Sequence, residues 1–116
     1  MGTVFLARDT TLHRQIAIKV LRSSADAEAS HRRLLREARS ASGLNHSNIC
    51  TVYEVGEDIG WAYIAMEYVD GRSLRELVDS GPLPVEHAVR YAIEAADALA
   101  HAHDRGVVHR DLKAAN

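Results

Sequence analysis

The pattern of apolar and polar positions changes character near residue 70. Before it, short runs rich in β-branched and aromatic residues predict strands over 3–8, 15–21, 49–57 and 61–68. The third and fourth are joined by Asp58-Ile59-Gly60, a hairpin loop. Residues 16–21 are apolar except for Lys19, so that strand is expected to be buried on both faces. Between the second and third strands, residues 26–42 are rich in Ala, Leu, Arg and Glu and predict a helix stopped by Gly43. Leu34, Ala38, Ala41 and Leu44 recur at helical spacing and mark its buried stripe. Asp70-Gly71-Arg72 breaks the strand pattern, and residues 73–116 turn helical. Ser73-Leu74-Arg75-Glu76 is a capping box for a short helix that Gly81 closes. Pro84 opens a long helix carrying Val85, Ala88, Val89, Ala92, Ala96 and Leu99, which ends before Gly106. At 1.5 Å per residue it spans roughly 30 Å, enough to present the loop that follows.

Two charged residues fall where an apolar pattern should exclude them. Lys19 sits in an otherwise apolar strand, and an unpaired buried cation is costly. The alternative is a solvent-side lysine that guards an edge strand. Glu37 lies inside the helix stripe, three residues after Leu34 and four before Ala41. An inward carboxylate should be paired, and Lys19 is the candidate partner. A local pair with Arg33, one turn earlier, is worth only a few tenths of a kcal/mol and does not explain an inward glutamate.

Composition changes the picture little. The 116 residues amount to at most one ordinary domain, with 14 Lys plus Arg against 16 Asp plus Glu and a net charge of −2. No basic field argues for nucleic acid or an anionic membrane. Cys50 is the only cysteine and cannot form an internal disulfide, which suits a reducing compartment. No apolar run is long enough to span a bilayer and no signal-peptide pattern opens the chain, so a cytoplasmic location without membrane contact is expected for this segment, while the parent protein could be membrane-anchored elsewhere. His101 and His103 are two apart on a helix and diverge, and no histidine pair has zinc spacing. His109 is expected to be a packed structural histidine, Trp61 a packing residue, and Arg32, Arg33, Arg36 and Arg39 a solvated helix face.

The chemistry concentrates at the C-terminus, in His109-Arg110-Asp111-Leu112-Lys113-Ala114-Ala115-Asn116. This matches the catalytic-loop pattern H-R-D-L-x-x-x-N. In that pattern an aspartate accepts the proton of an attacking hydroxyl and an asparagine five residues on ligates magnesium. Upstream, Ile16-Ala17-Ile18-Lys19 is a close variant of V-A-I-K, which puts a phosphate-pairing lysine on a strand. Gly2-Thr3-Val4 is similar to the end of the Gly-rich loop G-x-G-x-x-G-x-V, and Phe5-Leu6-Ala7-Arg8-Asp9 continues it. His46-Ser47-Asn48-Ile49 resembles H-P-N-I with serine for proline. Met66-Glu67-Tyr68-Val69 resembles a gatekeeper and hinge, and residues 101–108 lead into the catalytic loop in the same order.

On these motifs the chain resembles a bacterial-type serine/threonine protein kinase from Gly2 to Asn116. The resemblance implies an α+β fold: an antiparallel N-lobe sheet with one αC helix (1–69), then the hinge end and the first helices of the C-lobe through the catalytic loop (70–116). It implies ATP and Mg2+ as cofactors and a protein with a Ser or Thr acceptor as partner. Gly2, Val4, Ala17, Lys19, Met66, Glu67 and Val69 would bind the nucleotide: Val4 and Ala17 at the adenine, the backbones of Glu67 and Val69 at its edge, Met66 behind it and Lys19 on the phosphates. Glu37 would hold Lys19, Asp111 would be the base, Asn116 the magnesium ligand, and Lys113 would neutralise the transferred phosphoryl group. Arg110 would receive an activation-loop phosphate. Lysine at 113 resembles the Ser/Thr branch rather than the tyrosine branch. The pattern departs from the family in lacking the first two glycines, D-F-G and A-P-E. The isolated chain is therefore expected to be inactive. A small-molecule kinase of the aminoglycoside-phosphotransferase kind, which shares H-x-D-x-x-x-x-N, is the alternative; Arg110, Lys113 and the hinge weigh against it. A fragment that binds nucleotide or a partner without transfer is the other.

Overall fold

The computed structural model describes residues 3–22 and 28–114, the side chains of residues 21, 22, 28–31, 33, 34 and 37 excepted. The chain forms two compact units. The first comprises Met1–Asn45 with Cys50–Tyr68, and the second His46–Ile49 with Val69–Asn116.

The first unit is an antiparallel sheet with one helix. Its strands are β1 (Thr3–Asp9), β2 (Arg14–Arg22), β3 (Val52–Asp58) and β4 (Trp61–Glu67), in the order β1-β2-β4-β3. Helix α1 (Glu28–Ala41) packs against β3 and β4. Both hairpins follow from their loop residues. Asp9 Oδ1 accepts the amides of Thr11 and Leu12, each at 3.0 Å, and those bonds hold its carboxyl below the usual carboxylate range. The β3–β4 loop is the two residues Ile59 and Gly60, at φ 46° and 73°. Two positive φ values define a turn whose twist matches the strands it joins.

The core of this unit is Leu35, Ala38, Leu44, Ala62, Ile64 and Ala65. Ala38 and Leu44 belong to the expected helix stripe, whereas Ala41 is only half-buried and Leu34 lies outside the described side chains. Leu35, one position on from the expected Leu34, is a core residue. The expectation of a β2 buried on both faces is corrected: Ile16, Ala17, Ile18, Lys19 and Val20 are all half-buried. The reason lies in what flanks the strand. Its neighbour β1 is an edge whose Val4, Phe5 and Leu6 are all exposed, and the face with Ile18 and Val20 opens onto a shallow hollow lined also by Trp61 and Tyr63. Trp61 remains 45% exposed there rather than packed in. A register shift between Val52 and Glu54 bulges β3 at Tyr53, and Arg14 stacks its guanidinium 3.6 Å from that ring's centre.

The second unit is helical. In α2 (Leu74–Asp79) the capping box forms as its sequence demands: Ser73 Oγ accepts the Glu76 amide at 3.2 Å, and Glu76 Oε2 accepts the Ser73 amide at 2.7 Å. Helix α3 (Val85–His103) starts after Pro84 at the cap and ends in a Schellman motif. There Val107 donates to Ala102 O and Gly106 to His103 O, with Gly106 at φ 75°. Among the described residues only Ala98 and Ala102 of α3 are buried, while Val85, Val89 and Ile93 stay exposed. No helix of the described residues is long and apolar enough to cross a membrane.

Candidate active site

Strand register decides which side chains share a face, because paired residues of adjacent strands point the same way and the side-chain period is two. Val4 pairs with Lys19 and Leu6 with Ala17 across β1–β2. Ala17 pairs with Met66 and Lys19 with Ile64 across β2–β4. Val4, Ala17, Lys19 and Met66 therefore occupy one face of one sheet. The same face holds Ala62 and Ile64, both buried, whereas Val4 at its β1 edge is 56% exposed. It sets the Lys19 cation beside a small apolar surface, a composition suited to a flat heterocycle bearing an anionic tail. Behind it, the end of β4 is fixed by its own polar groups. The Glu67 amide donates to Thr51 O at 2.8 Å, and Glu67 Oε2 accepts the Thr51 amide at 3.1 Å. Cys50 Sγ donates to Glu67 O at 3.5 Å. Burial of its sulfur first, and then the Glu67 charge, push the Cys50 thiol up. Val69, two residues beyond Glu67, is exposed at the start of the second unit.

The catalytic-loop residues are organised within the second unit by backbone hydrogen bonds. The Schellman turn at Gly106 releases the chain from α3. Arg110 takes φ 63°, a left-handed value that costs a non-glycine residue energy and persists only where the surroundings over-determine it. Ala114 O accepts the Arg75 amide at 2.8 Å, so one of the free donors at the start of α2 anchors the far end of the loop. Within that frame Lys113 Nζ donates to Asp111 Oδ2 at 2.7 Å, and both side chains are more than half exposed. His109 is exposed, which corrects the expectation that it is packed; its Nδ1 accepts the Asp111 amide at 3.3 Å and so shapes the loop. The site residues Gly2, Asn116 and the Glu37 side chain lie outside the described residues. Among the described residues no group of three His, Cys, Asp or Glu converges where a metal could bind.

The structure also shows contacts that no motif announces. His46 Nε2 lies 3.0 Å from Asp97 Oδ2, and Asn48 Nδ2 donates to Glu94 O at 3.4 Å. Both tie the 46–49 segment to α3 inside the second unit. Partners separated by 51 and 46 residues leave no periodic trace in a sequence. In 46–49 itself, the Ile49 amide donates to His46 O at 3.1 Å, so the turn closes with serine where the resembled motif has proline.

The protein kinase domain family matches residues 1–116. The chain is 45% identical to the serine/threonine-protein kinase PknB of Mycobacterium leprae, covering all of this chain and 20% of that protein. It is 44% identical to PrkC of Bacillus subtilis, again over the whole chain and 18% of that protein. The crystal structure of a mutant Mycobacterium tuberculosis PknI kinase domain superposes with a TM-score of 0.85 at 39% identity, covering the whole chain and 49% of that domain. The chain belongs to the protein kinase family, a family of phosphotransferases that use ATP and Mg2+. It spans about a fifth of the length of these curated relatives and about half of the solved kinase domain.

Proposed function

We propose that the protein carrying this segment is a serine/threonine kinase that transfers the terminal phosphoryl group of ATP to Ser or Thr hydroxyls of protein substrates, on the cytoplasmic side where ATP is available. The observation that carries this reading is the shared sheet face of Val4, Ala17, Lys19 and Met66, fixed by two independent strand registers. Ala17 and Val4 offer the apolar surface against adenine, Met66 limits the depth behind it, and Lys19 meets the phosphates, with Glu37 holding it in place. Gly2 belongs to the loop over the phosphates, and backbone groups of Glu67 and Val69 bind the adenine edge. Bound ATP with Mg2+ supplies the transferable phosphoryl group and neutralises its charge, Asn116 being the metal ligand of this segment.

Asp111 takes the proton of the acceptor hydroxyl. Lys113, 2.7 Å from Asp111 Oδ2, restrains that carboxylate and adds a positive charge beside the transferring group. The curated relatives are serine/threonine kinases, which does not favour the small-molecule phosphotransferase alternative. In the complete kinase domain, Asp111→Asn should lower phosphorylation of a Ser/Thr substrate by about 10²–10⁴-fold while ATP binding persists. A variant that phosphorylates at the wild-type rate would remove Asp111 from the role of base. The 116-residue chain alone should show no transfer.

A further inference from the structure

Helix α1 carries four arginines against two glutamates, in a chain whose net charge is −2. Residues three and four apart are neighbours on a helix surface. By that spacing Glu28 can reach Arg32 and Glu37 can reach Arg33, which leaves Arg36 and Arg39 without a carboxylate in the helix. The positions around Arg36 are Arg32 and Ser40, four away, and Arg33 and Arg39, three away. Arg32, Arg36 and Arg39 are all exposed. Arg36 stands two residues from the buried Ala38, roughly 200° round the helix from it, and so faces outward from the core.

The other helices treat arginine differently. In α2 Arg75 Nε lies 2.8 Å from Asp79 Oδ2, and in α3 Arg90 Nε lies 3.9 Å from Glu94 Oε1, each pair four residues apart. Among the described residues Arg36 and Arg39 make no ion pair. Their polar neighbours are turned inward as well. Ser40 Oγ donates to Arg36 O at 3.1 Å and Ser42 Oγ to Arg39 O at 2.7 Å, so both hydroxyl hydrogens are spent on the backbone. Like charges one turn apart destabilise a helix. The outer face of α1 therefore holds a repulsion that an anion laid along it would relieve.

We propose that the Arg32–Arg36–Arg39 face of α1 docks an extended, Asp/Glu-rich segment of a partner protein. The geometry selects a row of anions over a single one. At 1.5 Å per residue the three arginines are set about 6 and 4.5 Å apart along the axis. Side chains on one side of an extended strand recur every ~6.7 Å, so carboxylates at alternate positions meet successive guanidinium groups. Each planar guanidinium can take a carboxylate through two parallel N–H donors. A lone phosphate would need the three side chains to converge on one point. Nucleic acid fits less well, because α1 has no Phe, Tyr or Trp to stack a base and so short a row of cations displaces few counterions. A lipid surface fits less well because the apolar Leu35 and Ala38 are buried, with α1 packed against β3 and β4. The surface lies wholly within the first unit, goes beyond phosphoryl transfer, and can be tested without activity.

The test titrates the 116-residue chain into a fluorescein-labelled decapeptide of alternating Glu and Ser, read by anisotropy at about 50 mM salt. Binding should weaken by about tenfold at roughly 300 mM salt and vanish for the same peptide with Gln in place of Glu. Arg36→Gln should weaken binding by about threefold, and the double variant Arg36→Glu, Arg39→Glu by more than about tenfold. Arg90→Gln, on α3, should leave the affinity unchanged. Arg36→Gln removes one of the repelling charges and touches no buried atom, so its far-UV circular dichroism should match wild type and its weaker binding reports the surface, not the fold. Equal binding of the Glu and Gln peptides, or an unchanged affinity in both arginine variants, would overturn the proposal. So would tighter binding to a decapeptide with one phosphoserine, to a single-stranded oligonucleotide, or to phosphatidylserine vesicles.

Discussion

Among the described residues, the first unit buries six apolar residues, Leu35, Ala38, Leu44, Ala62, Ile64 and Ala65, whereas the second buries two alanines and leaves Val85, Val89 and Ile93 open. Each large aliphatic side chain removed from water contributes about 1.5–3 kcal/mol, and an alanine much less. The sheet unit is therefore held mainly by burial. In the helical unit, directed hydrogen bonds carry a larger share: the Ser73–Glu76 box, the Schellman turn at Gly106, the Arg75–Ala114 link and the His46–Asp97 contact. The candidate chemistry is positioned in the same two ways. Lys19 is aimed by strand register, a property of the whole sheet, while Asp111 is aimed by a few local bonds at the ends of α2 and α3.

If the sheet depends on packing, a single added methyl group should damage it. Gly56 pairs with Tyr63, and a Cβ at 56 would meet the Tyr63 Oη, Cζ and Cε1 atoms at 2.5–2.8 Å. Tyr63 cannot yield without cost, since its hydroxyl donates to Glu54, a bond that also pushes the phenol's pKa up. Gly56→Ala should destabilise the sheet unit by about 1–3 kcal/mol in chemical denaturation. Adding Tyr63→Ala should recover much of that loss, because the clash needs both partners. Simple additivity of the two substitutions would argue that the ring is not the obstacle.

Local features of this fold were legible in the sequence, and long-range ones were not. The capping box, the start of α3 at Pro84 and its end before Gly106 are set by neighbouring residues, and each appears in the structure. Strand parity put Ala17 and Lys19 on one face, but bringing Val4 and Met66 to that face required the registers of two hairpins. Leu35 was missed because Leu34 and Leu35 are adjacent leucines and the helical phase could take either. The half-burial of β2 depends on which neighbours cover it, and the bulge at Tyr53 has no proline or glycine to signal it. The catalytic-loop motif names its residues, yet the left-handed Arg110 and the Arg75–Ala114 anchor exist only in three dimensions.

If the helical unit depends on directed bonds, losing one cap should be felt there and not in the sheet. Ser73→Ala removes the Oγ that accepts the Glu76 amide and donates to Glu76 Oε2. The expected loss is about 1 kcal/mol, read as faster amide exchange over 73–80 with β2 and β4 unchanged. The pH dependence has a definite sign. Hydrogen bonds from Ser73, backbone first and then side chain, hold the Glu76 carboxyl below the ordinary glutamate range. The contribution is therefore complete above about pH 4.3, the unfolded value, and disappears as pH falls through the lower folded value. The difference between wild type and Ser73→Ala should shrink in that acid window; a constant difference would mean the box is not what stabilises α2.

The smallest effect should run in the opposite direction and within the sheet. Ile59 occupies the first position of a two-residue turn at φ 46°, where a β-branched side chain is strained, and it is 90% exposed, so little packing offsets the strain. Asparagine tolerates that conformation, and Asn-Gly is the favoured pair for a turn with two positive φ values. Ile59→Asn should stabilise the sheet unit by about 0.5–1 kcal/mol, which for a unit of this size raises Tm by a few degrees. The gain should appear as slower exchange in β3 and β4 and leave α2 and α3 untouched. An unchanged or lowered Tm would mean that Ile59, beside Trp61 and Tyr63 in the open hollow, contributes more by contact than it costs by strain.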